Sequence, residues 1–238
     1  KVVEGSSHQN LMAQLRTQHE DLAGILFPME HKVFGGLKRM TQELESWCQS
    51  LAGQAYDPVY DRIVSYGERL STLIMGHYIE YQGMKVSTLD AAQLVITDDC
   101  HRSGNVKWPE SVEAMNRQII SEPQHIWLVQ GFIAGTSDGN PVTLGREGSD
   151  YSAAIFAAGL QASEIVVWKD VPGIMNTDPA EDPEARMYEC LPYSEALELA
   201  SYGAKVIHPK TIKPLENARI PLIVKAFDNP DAGGTTIS

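Results

Sequence analysis

The stretch that decides the fold is Val142–Gln161, "VTLGREGSDYSAAIFAAGLQ". An apolar strand end runs into two glycines, an Arg and a Ser–Asp pair, and then into an Ala-rich helical run. Gly145 and Gly148 allow positive φ and close backbone approach, and Ser149 and Asp150 stand where a helix begins. Free amides at such a start, with Arg146 beside them, make a carboxylate or phosphate site. An ordinary capped connection with a solvated Arg would use the same residues. The segment has neither the G-x-G-x-x-G spacing of dinucleotide folds nor the Lys-Ser/Thr ending of a Walker loop.

Outward from this turn, apolar β-branched runs alternate with helical ones. "MKVSTLDA" and "QLVITDD" read as short strands, "WPESVEAMNRQIISE" as an amphipathic helix and "HIWLVQGFIAG" as one apolar strand ending in glycine. "SEIVVWKDVPG" is a further strand, "YSEALELASYGAK" a helix N-capped by Ser194 and ended by Gly203, "HPKTIKPLENAR" a short helix and "IPLIVKAF" a closing strand. The pattern predicts an α/β sandwich of three layers, a mainly parallel sheet with helices on both faces. Residues 1–83 read as mainly helical: Leu11, Leu15, Leu22 and Leu26 keep helical spacing, and a third helix spans the run from Pro58 to Gly83. Residues 84–238 form the α/β part. Gly35-Gly36 in "HKVFGGLKRM" follows no strand and is read as an interhelical turn rather than a phosphate loop.

The 238 residues suffice for a substantial core, and 43% hydrophobic with 21% charged residues is an ordinary globular composition. A net charge of −12 disfavours nucleic acid and anionic membranes as partners, so anionic ligands need local cations and oriented amides. No apolar run is long enough to span a membrane, and the N-terminus is not a signal peptide. Cys48, Cys100 and Cys190 are scattered without metal-ligand spacing, which predicts free thiols, a cytoplasmic setting and no protein metal site.

Other polar clusters fall where strands end or helices begin, the usual ligand positions of α/β sheets. Asp170 could hold ribose hydroxyls or stabilise its own turn. Lys205 could meet phosphates or complement a helix dipole. Glu68, in an apolar helix, could take a ligand's ammonium or face water.

In order along the chain, "VSYGERLST", "VQGFIAG", "VTLGREGSDYSAA", "VVWKDVPGIMNTDP", "SYGAKVIHPKTIKP" and "FDNPDAGGTTIS" resemble aspartokinases of the amino-acid kinase superfamily. The likeness covers almost the whole chain and is nearest to forms fused to homoserine dehydrogenase. It implies transfer of the ATP γ-phosphoryl group to the β-carboxylate of L-aspartate, the first step towards Lys, Thr, Met and Ile. It implies that Glu68 takes the substrate ammonium, and that Arg146, with Gly148, Ser149 and the loop amides, takes its α-carboxylate. Asp150 and Lys205 are the catalytic pair it implies. Lys169, Asp170, Gly173, Met175, Lys205 and Val206 fall at nucleotide contacts, and Mg²⁺ would come with ATP. A homo-oligomer is also implied, with fusion to ACT or homoserine dehydrogenase domains in a longer product.

The departures from the family pattern are local. The Lys-Phe-Gly-Gly strand, the Ser/Thr segment after it and the ACT domains are not in this sequence. Glu147 replaces the usual Gly, Lys169 a Thr or Ser, Met175 a Tyr and Ala180 an Arg. Two other function classes remain open: a non-catalytic binding or assembly module derived from such a kinase, and a sister kinase with another carboxylate substrate.

Overall fold

The computed structural model describes residues 9–51, 53–119, 125–177, 182, 184–201 and 206–238. They divide into two compact units, Lys1–Gly145 and Arg146–Ser238.

In the first unit three helices come first: α1 (Gln9–Leu26), α2 (Lys32–Cys48) and α3 (Tyr56–Tyr81). The leucine spacing marks α1 as helical, but it does not mark the buried face. Leu11 and Leu22 are about half exposed, while Met12 and Ala23 are buried. Met12 packs with Leu44, Cys48, Val59 and Tyr66, and Ala23 with Phe27, Val33, Leu37, Leu70 and Ile74. Gly35 and Gly36 are not a turn. The chain reverses earlier, His31 Nδ1 accepts from the Val33 amide, and α2 starts at Lys32. Gly36 is buried inside α2, where a Cβ would come within 2.9 Å of Leu73, so the glycine serves helix packing.

The strands follow: β1 (Val86–Leu89), a 3₁₀ turn (Ala91–Gln93), β2 (Ile96–Thr97), α4 (Trp108–Gln118), β3 (Ile126–Val129), β4 (Ile133–Thr136) and β5 (Pro141–Thr143). β1 pairs parallel with β3; β2, β4 and β5 form a second sheet, with β2–β4 parallel and β4–β5 antiparallel. The run "HIWLVQGFIAG" is therefore two strands in two sheets. They separate at Gln130–Phe132, where Phe132 adopts φ 67° and Gln130 turns its side-chain oxygen to the Ala91 amide. Gly135 lies in β4 against the 3₁₀ turn, and a Cβ there would stand 2.2 Å from the Ala92 carbonyl oxygen.

The second unit holds α5 (Gly148–Gly159), β6 (Ile165–Lys169), β7 (Cys190–Leu191), α6 (Tyr193–Ser201), α7 (Pro209–Ala218), β8 (Leu222–Ala226) and β9 (Thr235–Ile237). Its sheet runs β6-β8-β9-β7, with only β8–β9 antiparallel. Ala154, Ile212, Leu215, Leu222 and Ile237 are fully buried at its centre. α6 starts at Tyr193, so Ser194 is its second residue and not its N-cap; Gly203 lies outside the described residues. β7 and β9, two and three residues long, are too short for a legible pattern. The pairings are mixed and mainly parallel, and the fold class is α/β.

The Gly135 contact gives a stability prediction. Gly135→Ala forces a methyl onto a backbone oxygen that cannot yield as a side chain would. It should cost about 1–3 kcal/mol in urea denaturation, with the fold retained.

Candidate active site

The Val142–Gln161 stretch forms a strand, a tight turn and a helix. β5 ends at Thr143, Gly145 has φ +81°, and α5 begins at Gly148. Gly148 itself is helical and buried. The second left-handed residue is Glu147, φ 55° and ψ 29°, at the N-cap with no side-chain capping bond. Glycine takes that conformation freely, whereas an L side chain there costs roughly 1–2 kcal/mol. The first intrahelical bond runs from the Tyr151 amide to the Glu147 carbonyl at 3.2 Å, which leaves the amides of Gly148, Ser149 and Asp150 for other acceptors.

Arg146 and Ser149 are exposed, and Arg146 has no ion-pair partner among the described residues. Asp150, in the first turn of α5, accepts from Lys169 Nζ at 2.6 Å, with side chains only 13% and 20% exposed. Lys169 is the last residue of β6, so the pair joins a strand's carboxyl end to a helix start. Asp170 is exposed beyond it. Gly173 is buried where a Cβ would stand 2.5 Å from Thr235 Oγ1, and the Ile174 amide donates to that oxygen at 2.8 Å. Met175 bridges to Met187, and Val206 is partly buried. Lys205 and Ala180 lie outside the described residues.

Glu68 is on α3, half-buried and without a cation among the described residues; burial raises its carboxyl pKa above the ordinary 4.5. Its neighbour Arg69 is engaged elsewhere, reaching both Asp90 oxygens at 2.9 and 3.3 Å. No three or more His, Cys, Asp or Glu side chains converge to hold a metal among the described residues, and no described helix is long and apolar enough to cross a membrane. Cys48, Cys100 and Cys190 are free thiols.

Residues 10–226 match the Amino acid kinase family. The chain belongs to that family. It is 40% identical over 186 residues to the bifunctional aspartokinase/homoserine dehydrogenase of Haemophilus influenzae, covering 78% of this chain and 23% of that one. Lysine-sensitive aspartokinase 3 of Escherichia coli is 32% identical over 202 residues, 84% of this chain and 45% of its own length. The chain thus spans less than half the length of both curated relatives. Among solved structures, E. coli aspartokinase III in complex with aspartate and ADP (R-state) superposes with a TM-score of 0.89 at 29% identity, over 99% of this chain and 54% of that one. The UMP kinase of Bacillus anthracis, at 17% identity and TM-score 0.50, shares the fold alone, over 83% of this chain and 73% of its own.

Glu68 and Glu147 each give a stability prediction. Because folding raises the Glu68 pKa, the stability its protonated form contributes is present below about pH 4.5 and is lost as pH rises through the folded value. Glu68→Gln removes that loss, so its urea stability should gain on the wild type between about pH 4 and pH 7. Glu147→Gly relieves the left-handed backbone against a looser unfolded chain, and should raise stability by roughly 0.5–1 kcal/mol in the same assay.

Proposed function

We propose that this chain is the kinase part of an aspartate kinase, moving the γ-phosphoryl group of ATP to the β-carboxylate of L-aspartate. The observation that carries the reading is the head of α5. There the largely buried Asp150–Lys169 ion pair stands beside the turn that begins with Arg146, which has no ion-pair partner among the described residues. In a chain of net charge −12, Arg146 and three helix-start amides on one turn, with Lys169 reaching that turn's Asp150 from the end of β6, suit anionic reactants.

Arg146, Gly148 and Ser149 would hold the α-carboxylate of aspartate, and Glu68 its ammonium. The burial that raises the Glu68 pKa supports that role, because an incoming ammonium would offset the cost of holding a carboxylate there. A carboxylate oxygen of the substrate attacks the γ-phosphorus. A bond forms between them, the bond from that phosphorus to the β,γ-bridging oxygen breaks, and ADP leaves. No general base is needed, since a side-chain carboxyl of pKa about 4 is already ionised at neutral pH. What remains is in-line positioning and charge neutralisation. Asp150 would hold Lys169 towards the phosphates, with Lys205 as a second cation. Asp170, Gly173, Met175 and Val206 would border the nucleotide. Mg²⁺ bound to ATP would supply further neutralisation. A cytoplasmic setting, a homo-oligomeric assembly and an early step of Lys and Thr synthesis belong to the same proposal.

The test is coupled ADP release with Mg-ATP and aspartate, using the full protein that contains this chain. Arg146→Ala should lower kcat/KM for aspartate by about 2–5 kcal/mol equivalent, roughly thirty-fold or more, as it removes one charge pair to the substrate. Unchanged aspartate kinetics in that variant, or amine-free acids outperforming aspartate, would sink the assignment. Binding without turnover in the wild type would favour a non-catalytic module instead.

A further inference from the structure

Asp61 is a charged residue to which neither the sequence motifs nor the proposed chemistry assigns a role, and its side chain is fully buried. A buried carboxylate needs partners that replace water. Asp61 has three. His101 Nδ1 lies 2.8 Å from Oδ2, the Arg102 amide donates to the same oxygen at 2.9 Å, and the Thr143 hydroxyl donates to Oδ1 at 2.7 Å. They come from two places far apart in sequence, the loop at 98–103 and the last residue of β5.

Each partner leads towards a residue of the proposed aspartate site. Asp61 precedes Glu68 by seven residues on α3, about two turns, so both stand on one side of the helix. Thr143 precedes Gly145 by two residues and Arg146 by three. The loop also props the turn directly: Arg102 adopts φ 65°, and its carbonyl oxygen would stand 2.9 Å from a Cβ on Gly145. The Gly104 amide donates to the Thr143 carbonyl at 3.0 Å, and the Leu144 amide to Phe132 at 2.9 Å. His101, 18% exposed, closes the cluster on the side of a cavity of about 690 Å³ also lined by Trp47, Arg62, Lys107 and Asn140.

We propose that Asp61 is a positioning residue for aspartate binding, a buried strut that fixes the helix bearing Glu68 to the segment running into Arg146. The substrate half of this inference rests on the aspartate-kinase reading; the mechanical half does not. A carboxylate suits the post because one group accepts all three bonds. Asparagine can keep its oxygen on His101 and Arg102 and turn its amino group to the Thr143 hydroxyl. Alanine orphans three donors.

The experiment combines hydrogen exchange and kinetics on the full protein, with Thr143→Val as a mild variant and Asp61→Ala as a severe one. Exchange should rise by about tenfold or more at the Arg102, Gly104 and Leu144 amides while α1 stays unchanged. KM for aspartate should rise about threefold to tenfold in Thr143→Val, and more in Asp61→Ala, with KM for Mg-ATP held within about twofold. Asp61→Asn should recover most of the affinity. Should Asp61→Ala fail to fold, Thr143→Val decides alone. Unchanged exchange at those three amides in a folded variant overturns the strut. So does an aspartate KM that stays constant while Arg146→Ala weakens aspartate. If Arg146→Ala is itself without effect, the aspartate reading falls, and the exchange data still decide whether Asp61 braces the turn.

Discussion

The junction of strand and helix at the head of α5 depends on the ion pair between Lys169 and Asp150. At 2.6 Å, with at most one-fifth of either side chain exposed, neither charge is well hydrated. Removing one partner would strand the other, which is what makes buried pairs strict constraints even when their net stabilisation is small. The pair also joins the carboxyl end of β6 to the first turn of α5, the edge at which α/β sheets bind ligands. With Asp150 occupied by Lys169, Arg146 has no ion-pair partner among the described residues. A single pairing therefore holds the cation at the end of β6 in place and leaves the guanidinium of the turn outside it.

Much of the fold was legible because pattern and propensity agree. The three long helices, the β6 and β8 runs and the strand–turn–helix at 142–161 all fall where apolar periodicity and punctuation put them. The failures share a cause: tertiary contact overruled a local signal. Gly35-Gly36 reads as a breaker, yet Gly36 lies within α2 because its missing Cβ admits Leu73. "HIWLVQGFIAG" reads as one strand because nothing local announces that Phe132 turns left-handed and sends β3 and β4 to different sheets. Leu11 and Leu22 share helical spacing with buried residues but face outward, a choice made by α2 and α3 rather than by α1.

The candidate site was legible by residue and not by pairing. Arg146, Asp150 and Lys169 are marked by their motifs, but nothing in the sequence joins Asp150 to a lysine nineteen residues away. The Glu147 departure is visible as a letter; that it occupies the left-handed position is visible only in the backbone. Asp61 carries no local signal, because an acidic residue in "YDRIVSYGE" looks like the wet face of an amphipathic helix. Its three donors arrive from residues 40 to 82 positions away.

The distribution of local cost is itself informative. On helix α3 two of the carboxylates meet opposite fates: Asp61 is fully satisfied, while Glu68 is half-buried with no cation among the described residues, its neighbour Arg69 being committed to Asp90. At the turn, Glu147 holds a left-handed conformation and Arg146 has no ion-pair partner among the described residues. Each departs from what stability alone would select. Proteins meet local rules where only folding is at stake and break them where a ligand completes the arrangement.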